Sequence, residues 1–377
     1  MKYKNVLFGD RDMGMTILLI GAGHGHLYTV SKIRQMVELG YRVVVINASR
    51  YHYYSGMGPG MLGGMYAPDD TRFDIEKMVH EGGGEFIEDS VMKIDPERRV
   101  IYTSGGKIME FDVLSCNTGS VIQDTIPVES NDTVYPVKPL VNLYRAREQL
   151  EQAEKGSSLH IVVAGGGAAG VEIAANVYGR ARDLSIDARV TIATSGVLLE
   201  GFPERASGKA RKWLNKHGIE VCEQTRVAGI NNKNVLSAGG WNIPMGICIM
   251  ATGIVPPEIF SRSGMKTGPD GGLDVNEYLQ AQNYPYIFGT GDGIYFSPHP
   301  LPKAGVYAVR QGPLLYSNIM AFCRGESLEA FVPQKKYLLI LNLAGYGIAV
   351  RGKLVLGGRT WFRIKDSIDR KYIKRFT

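Results

Sequence analysis

Hydrophobic and polar positions fall into blocks that repeat along the chain. TILLI at 16–20 is an almost unbroken apolar run, followed by GAGHGHL at 21–27. In TVSKIRQMVELG the apolar residues return every three or four positions, and YRVVVINAS at 41–49 is apolar again at its centre. A short apolar run bounded by turn residues predicts a strand buried on both faces, and the three-and-four spacing predicts a helix. The block therefore reads strand, glycine loop, helix, strand. The same order recurs in LHIVVA at 159–164, GGGAAG at 165–170, VEIAANVYGRARD and ARVTIATS.

Each block is closed by a similar apolar strand: FDVLSCNTG ends at Thr118 and Gly119, and ICIMATG ends at Thr252 and Gly253. A third such strand, YPYIFGTGD, leads to Gly291 and Asp292, ahead of a Pro/Gly loop and a helix over 306–323. Beyond about 331 the pattern predicts short strands at LLILNLA, GIAVR and KLVLGG, then a helix with apolar residues at 361, 364, 368, 372 and 376. Basic residues surround that last stripe, a pattern suited to a membrane surface, to packing on its own domain or to the seam of a homodimer.

A glycine loop opening a helix suits pyrophosphate, because the first helical N–H groups lack partners and the helix dipole is positive there. Gly165, Gly167 and Gly170 fit G-x-G-x-x-G in full. In the first loop Gly21 and Gly23 keep the two glycines that shape the turn, Gly25 lies between two histidines, and His26 stands where the third glycine belongs. That third glycine chiefly permits close helix–strand packing, so His26 is expected to shift the helix without abolishing binding. His24 or His26 is expected to face cofactor phosphate or neighbouring backbone. The acid that usually binds adenosine ribose at the end of the second strand is missing from both modules; Asn47 with Ser49, and Thr194, occupy those places. With no arginine at 194–196, NADH is slightly favoured over NADPH.

Composition narrows the class. The chain has 377 residues, 44% apolar and 21% charged, with a net charge of +6 and no basic–aromatic nucleic-acid motif. Its four cysteines, Cys116, Cys222, Cys248 and Cys323, have neither redox-pair nor zinc spacing, and two fall in strand-like runs. No metal site is expected. No secretion signal is visible, no run reaches the ~18 apolar residues of a membrane span, and the first 13 or so residues read as an extension. These features fit a cytoplasmic protein, peripheral on the cytoplasmic membrane face if the tail binds lipid.

The loops, the Thr-Gly strand ends and IFGTGD resemble the two-dinucleotide-binding-domain flavoproteins of the pyridine nucleotide–disulfide oxidoreductase superfamily, over roughly residues 16–325. Within it the chain resembles type II NADH dehydrogenases. It most closely resembles the flavoprotein modules fused to selenide, water dikinase, through GAGHGH, YSGM at 54–57, LPKAGVYAVRQ at 301–311 and KDSIDR at 365–370. The resemblance implies an α/β fold of two Rossmann-like domains with a small C-terminal β/helix extension. An FAD domain would cover 14–125 and 265–330, an NAD(P)H domain 126–264, and the extension 331–377. It implies an FAD-dependent NAD(P)H oxidoreductase that passes electrons to a quinone or another acceptor without a redox disulfide. In that scheme Asp292 contacts the flavin ribityl chain, Tyr54 packs by the flavin, and Glu172 positions nicotinamide or passes protons. Lys303, with Gly305 and Val306 at the helix start, stabilises reduced flavin. Two other readings stay open: a sulfur or selenium flavoenzyme, marked by a cysteine beside the flavin, and a weakly catalytic nucleotide-binding interaction module.

Overall fold

A computed structural model describes residues 14–123, 126–129 and 132–377. The expected N-terminal extension lies outside these residues. The chain divides into two compact units. Among the described residues, unit one combines 14–52 with Asp74–Gly119 and Pro256–Val332; unit two combines Tyr53–Phe73, Ser120–Val255 and Pro333–Thr377.

At the centre of unit one are five parallel strands in the order Tyr284–Gly289, Val113–Cys116, Thr16–Ile20, Arg42–Asn47, Glu85–Glu88. Ile17, Leu18 and Leu19 are wholly buried, which is why their strand is apolar without alternation. Unit two repeats the plan with Val134–Pro136, Ile247–Met250, Ser158–Ala164, Asp187–Ala193 and Glu220–Cys222, all parallel. In both, the glycine loop leaves the carboxyl end of a central strand, where doubly wound sheets bind ligands.

The helix expected after the first loop is interrupted. It forms as Leu27–Val30 and Ile33–Glu38, and at the break the Ser31 hydroxyl donates to Tyr28 O at 2.7 Å. Its counterpart in unit two, Ala168–Asp183, is continuous.

The division differs from the expected domains at several boundaries. Tyr53–Phe73 and 120–123 fall in unit two, 256–264 fall in unit one, and the tail from Pro333 joins unit two instead of standing apart. Packing explains the placement of Tyr53–Phe73 and of the tail. The helix Gly58–Leu62 lies against Val141–Glu151 and Ala168–Asp183, close enough that a Cβ on Gly63 would sit 2.8 Å from Asn176 Oδ1. The tail forms the antiparallel sheet Leu339–Leu343, Tyr346–Arg351, Leu354–Gly358, whose first strand packs on Ala168–Asp183. The terminal helix, Arg359–Ile373, buries Asp369 and Ile373; the apolar stripe is split, with Ile364 and Ile368 exposed and Tyr372 and Phe376 packed on Phe73.

Candidate nucleotide sites and a buried carboxyl cluster

The two glycine loops are tied down alike. Gly21 N–H donates to Ile46 O and Gly165 N–H to Ala193 O, at 2.7 and 2.8 Å. Both first glycines have positive φ, and a Cβ on either would collide with the backbone of the neighbouring strand end, Asn117 O at 2.3 Å or Ala251 O at 2.2 Å. No other residue fits there.

The loops differ at their last position. A Cβ on Gly170 would sit 1.9 Å from Gly165 O, so the second helix packs its backbone directly on that carbonyl. At the matching place in unit one, His26 is wholly buried, with Nδ1 2.5 Å from Gly21 O and Nε2 2.8 Å from Ser115 Oγ. A carbonyl only accepts, so Nδ1 carries the proton and Nε2 accepts from the Ser115 hydroxyl. Burial drives the imidazole pKa down to about 4, against a smaller opposing effect of the Gly21 bond. His26 is thus a neutral strut within the loop. His24 contacts His52 instead, Nδ1 to Nε2 at 3.2 Å with the rings edge-on.

Asn47 accepts the Ala22 N–H at 3.0 Å and donates to Ser49 O at 2.6 Å, bracing the loop against the end of the second strand. Ser49 Oγ accepts from Tyr51 N–H. Asn117, a residue the sequence did not single out, donates to Thr290 O at 2.8 Å. Gln311, also missed, accepts from Thr290 Oγ1 and Gly291 N–H at 2.7 and 2.9 Å and fixes the turn carrying Asp292. Three buried side-chain oxygens at these strand ends, Asn117 Oδ1, Thr118 Oγ1 and Thr252 Oγ1, have no hydrogen-bond partner. Buried polar atoms without a protein partner require water or a ligand to complete them, and beside glycine loops they fit a nucleotide. Gly119 and Gly253 face open space.

In unit two the loop lines a cavity of about 500 Å³ together with Thr194, Ser195, Thr252 and Gly253. Arg226 lines it too, reached because Thr225 N–H donates to Thr194 O at 2.7 Å. The absence of arginine at 194–196 therefore does not leave this end of the cavity without a cation. Helix Ala168–Asp183 begins with no side-chain cap, leaving its first N–H groups to a ligand.

Helix Gly305–Arg324 in unit one also lacks a side-chain cap, so Gly305 and Val306 offer free amides. Lys303 beside it is not an available cation. Its ammonium bonds Ile294 O at 2.5 Å and pairs with Asp270 at 2.7 Å.

A second constellation in unit two joins distant parts of the chain. Asn342 N–H donates to Glu172 Oε1 at 2.7 Å, and Asn176 bridges Glu172 O and Asn342 O at 2.7 and 2.8 Å. Burial pushes the Glu172 carboxyl up to about 7; the Lys365 charge and the Asn342 N–H oppose the rise, and Asp369 adds to it. Lys365 Nζ bonds Asp369 at 2.6 Å and Gly56 O at 2.5 Å. Tyr54 donates to the other Asp369 oxygen at 3.1 Å, and burial raises its phenol well above the usual range. Tyr54 is thus held by the terminal helix.

Cys116 and Cys248 are buried strand residues; burial raises the first thiol strongly and pushes the second up to about 12. Among the described residues no helix is long and apolar enough to cross a membrane.

Two parallel sheets with glycine loops and unsatisfied polar strand ends define a protein with two nucleotide-binding units. The chain belongs to the pyridine nucleotide-disulphide oxidoreductase family, whose model matches residues 15–312. A type II NADH:quinone oxidoreductase of Staphylococcus aureus (strain NCTC 8325 / PS 47) is 25% identical, with 95% of this chain and 94% of the relative covered. The fold is similar to that of the sulfide:quinone oxidoreductase of Aquifex aeolicus, at 17% identity, TM-score 0.79, and coverage of 96% of this chain and 91% of that one. It is also similar to NDH2 from Plasmodium falciparum in complex with NADH, at 14% identity, TM-score 0.77, and coverage of 96% and 97%.

The His26 strut makes stability depend on pH. Its folded pKa lies below the unfolded value, so the unfolded chain binds the proton first as pH falls from 6.5 toward 4. Stability is full above 6.5 and declines by roughly 3 kcal/mol across that window. Denaturant unfolding at pH 7 and pH 4 will show this loss in the wild type and a correspondingly smaller one in His26→Gln.

Proposed function

We propose that the protein is an FAD-dependent NADH dehydrogenase that passes electrons to a quinone, without a redox disulfide. The observation that carries this reading is Glu172, a half-buried carboxyl just after the second glycine loop that accepts the Asn342 N–H at 2.7 Å and whose desolvation pushes its pKa up to about 7. A quinone takes up protons as it is reduced, and a carboxyl poised near neutrality is suited to supply one. The NADH:quinone oxidoreductase relative of S. aureus supports the same acceptor.

Unit one is assigned to FAD. Gly21, Gly23 and Gly25 are assigned to backbone approach to the pyrophosphate, and Asp292, on the turn that Gln311 fixes, to the ribityl chain. Asn117, Thr118 and the amides of Gly305 and Val306 offer unused hydrogen-bonding groups. Unit two is assigned to NADH through Gly165, Gly167, Gly170, Thr194, Thr252 and Gly253. When bound, the two cofactors supply hydride transfer and onward electron transfer. The protein orients them, and Glu172 holds the proton at its carboxyl oxygen. Negative charge on the bound flavin would be stabilised by the helix amides of Gly305 and Val306, since Asp270 pairs with Lys303. A sulfide-oxidising reading needs a reactive thiolate, which the raised thiols of Cys116, Cys248 and Cys323 disfavour.

Purified protein reconstituted with FAD should show a flavin spectrum that NADH bleaches anaerobically and a soluble quinone restores. No retained flavin would sink the cofactor assignment; bleaching that quinone cannot reverse would sink the acceptor. In Glu172→Gln, quinone reduction should fall about 100-fold. The wild-type decline as pH rises through 7 should disappear, while flavin bleaching by NADH stays within about twofold. A preserved pH profile in this variant would remove Glu172 from proton delivery.

The exposed Ile364 and Ile368, on a helix bearing Arg363, Arg370, Lys371 and Lys374, support peripheral membrane association. Co-sedimentation with anionic vesicles should weaken at least fivefold in Ile364→Glu/Ile368→Glu; equal binding would refute the contact.

A further inference from the structure

Unit two carries another cavity, of about 470 Å³, that shares no lining residue with the glycine-loop cavity. Three parts of the chain build it. Helix Glu204–Lys216 contributes Lys209, Lys212, Trp213 and Lys216, whose three-and-four spacing sets them on one face. Tyr178 and Arg182 come from the last turns of helix Ala168–Asp183, and Arg359 opens the terminal helix. No carboxylate lines the cavity. Among the described residues Arg182 has an ion-pair partner, Asp183 at 3.5 Å, but Lys209, Lys212, Lys216 and Arg359 have none.

Some exposed cations elsewhere sit beside acids, as in Arg42–Glu85, Arg189–Glu220 and Arg262–Glu258; what sets this group apart is that its cations converge on one concavity whose lining holds no carboxylate. Uncompensated like charges converging on a concavity repel one another and concentrate anions there. The cavity also has an aromatic wall. Trp213 and His217 stack with centroids 3.9 Å apart, and Tyr178 meets His217 edge-on at 5.6 Å. His217 Nδ1 donates to Trp213 O at 2.7 Å, which fixes the ring. The volume falls within the ~300–1,000 Å³ typical of small-molecule sites.

We propose that this cavity binds a soluble phosphate ester with two or more phosphate groups and a planar ring, of the nucleoside diphosphate class. Lysines and Arg359 take the phosphates, and the aromatic wall takes the ring. The site is separate from the dinucleotide loops and does not depend on the proposed redox activity.

Isothermal titration of the full chain with ADP, and separately with inorganic tripolyphosphate, tests this against Lys212→Glu/Lys216→Glu. Both lysines are exposed, so the variant should fold, as thermal melting will verify. A control, Arg351→Glu/Lys353→Glu, reverses two exposed charges elsewhere on unit two. The variant should lose one binding event or weaken it at least tenfold, the control should match wild type, and wild-type affinity should fall with salt. Equal binding by variant and wild type would overturn the proposal, as would an equal loss in the control. Binding of phosphatidylglycerol vesicles with no response to either soluble phosphate would overturn it too.

Discussion

The carbonyl of the first glycine in each nucleotide loop constrains everything downstream of it. That residue must adopt positive φ to turn the chain, and its oxygen then points at the start of the following helix. Unit two meets the demand by removing a side chain: Gly170 lets the helix backbone rest on Gly165 O. Unit one meets it by adding one, the His26 ring between Gly21 O and Ser115. The second solution requires a neutral imidazole, a hydroxyl on the neighbouring strand and room between helix and sheet. The interrupted helix after the loop accompanies this arrangement. A departure from the glycine pattern is therefore a different way of closing the same turn.

The same dependence on pairing governs the carboxyl cluster of unit two. A cation beside Glu172 would ordinarily hold it ionised at neutral pH. Lys365, however, is already bound to Asp369 and to Gly56 O. The pair presents little net charge, so desolvation decides the outcome and the carboxyl rises to about 7. Tyr54 completes the arrangement by bonding the remaining Asp369 oxygen. Removing any one partner would leave another buried polar group unpaired.

Much of this was legible in the sequence, and the limits have physical causes. Buried parallel strands are apolar throughout and glycine loops are local, so both units and their loops could be read from short stretches. Asn117 and Gln311 could not, because their partners, Thr290 and Gly291, lie far along the chain or in backbone. The Asn-Thr-Gly strand ending was the available signal for Asn117. The inner face of the terminal helix could not be read from apolar spacing, which tracks hydrophobic burial only, whereas Asp369 is buried through its bonds to Lys365 and Tyr54. The allocation of Tyr53–Phe73 was hidden for a related reason. A segment that follows one unit in sequence is claimed by the other through glycine-permitted packing on Asn176.

One element links these features within unit two. Helix Ala168–Asp183 has 16 residues, about 24 Å of rise. Its uncapped start serves the glycine loop, its second turn carries Glu172, and Asn176 ties it to Asn342. Its last turns supply Tyr178 and Arg182 to the basic cavity. Groups on one continuous helix keep fixed separations, so the loop, the carboxyl and the cavity cannot shift independently along it. In unit one the corresponding helix is short and broken, and the supporting groups come instead from Ser115, Asn117 and Gln311 on separate elements. Duplication supplied two similar sheets, and the contrast between one continuous helix and a set of cross-braces is where the two units diverge.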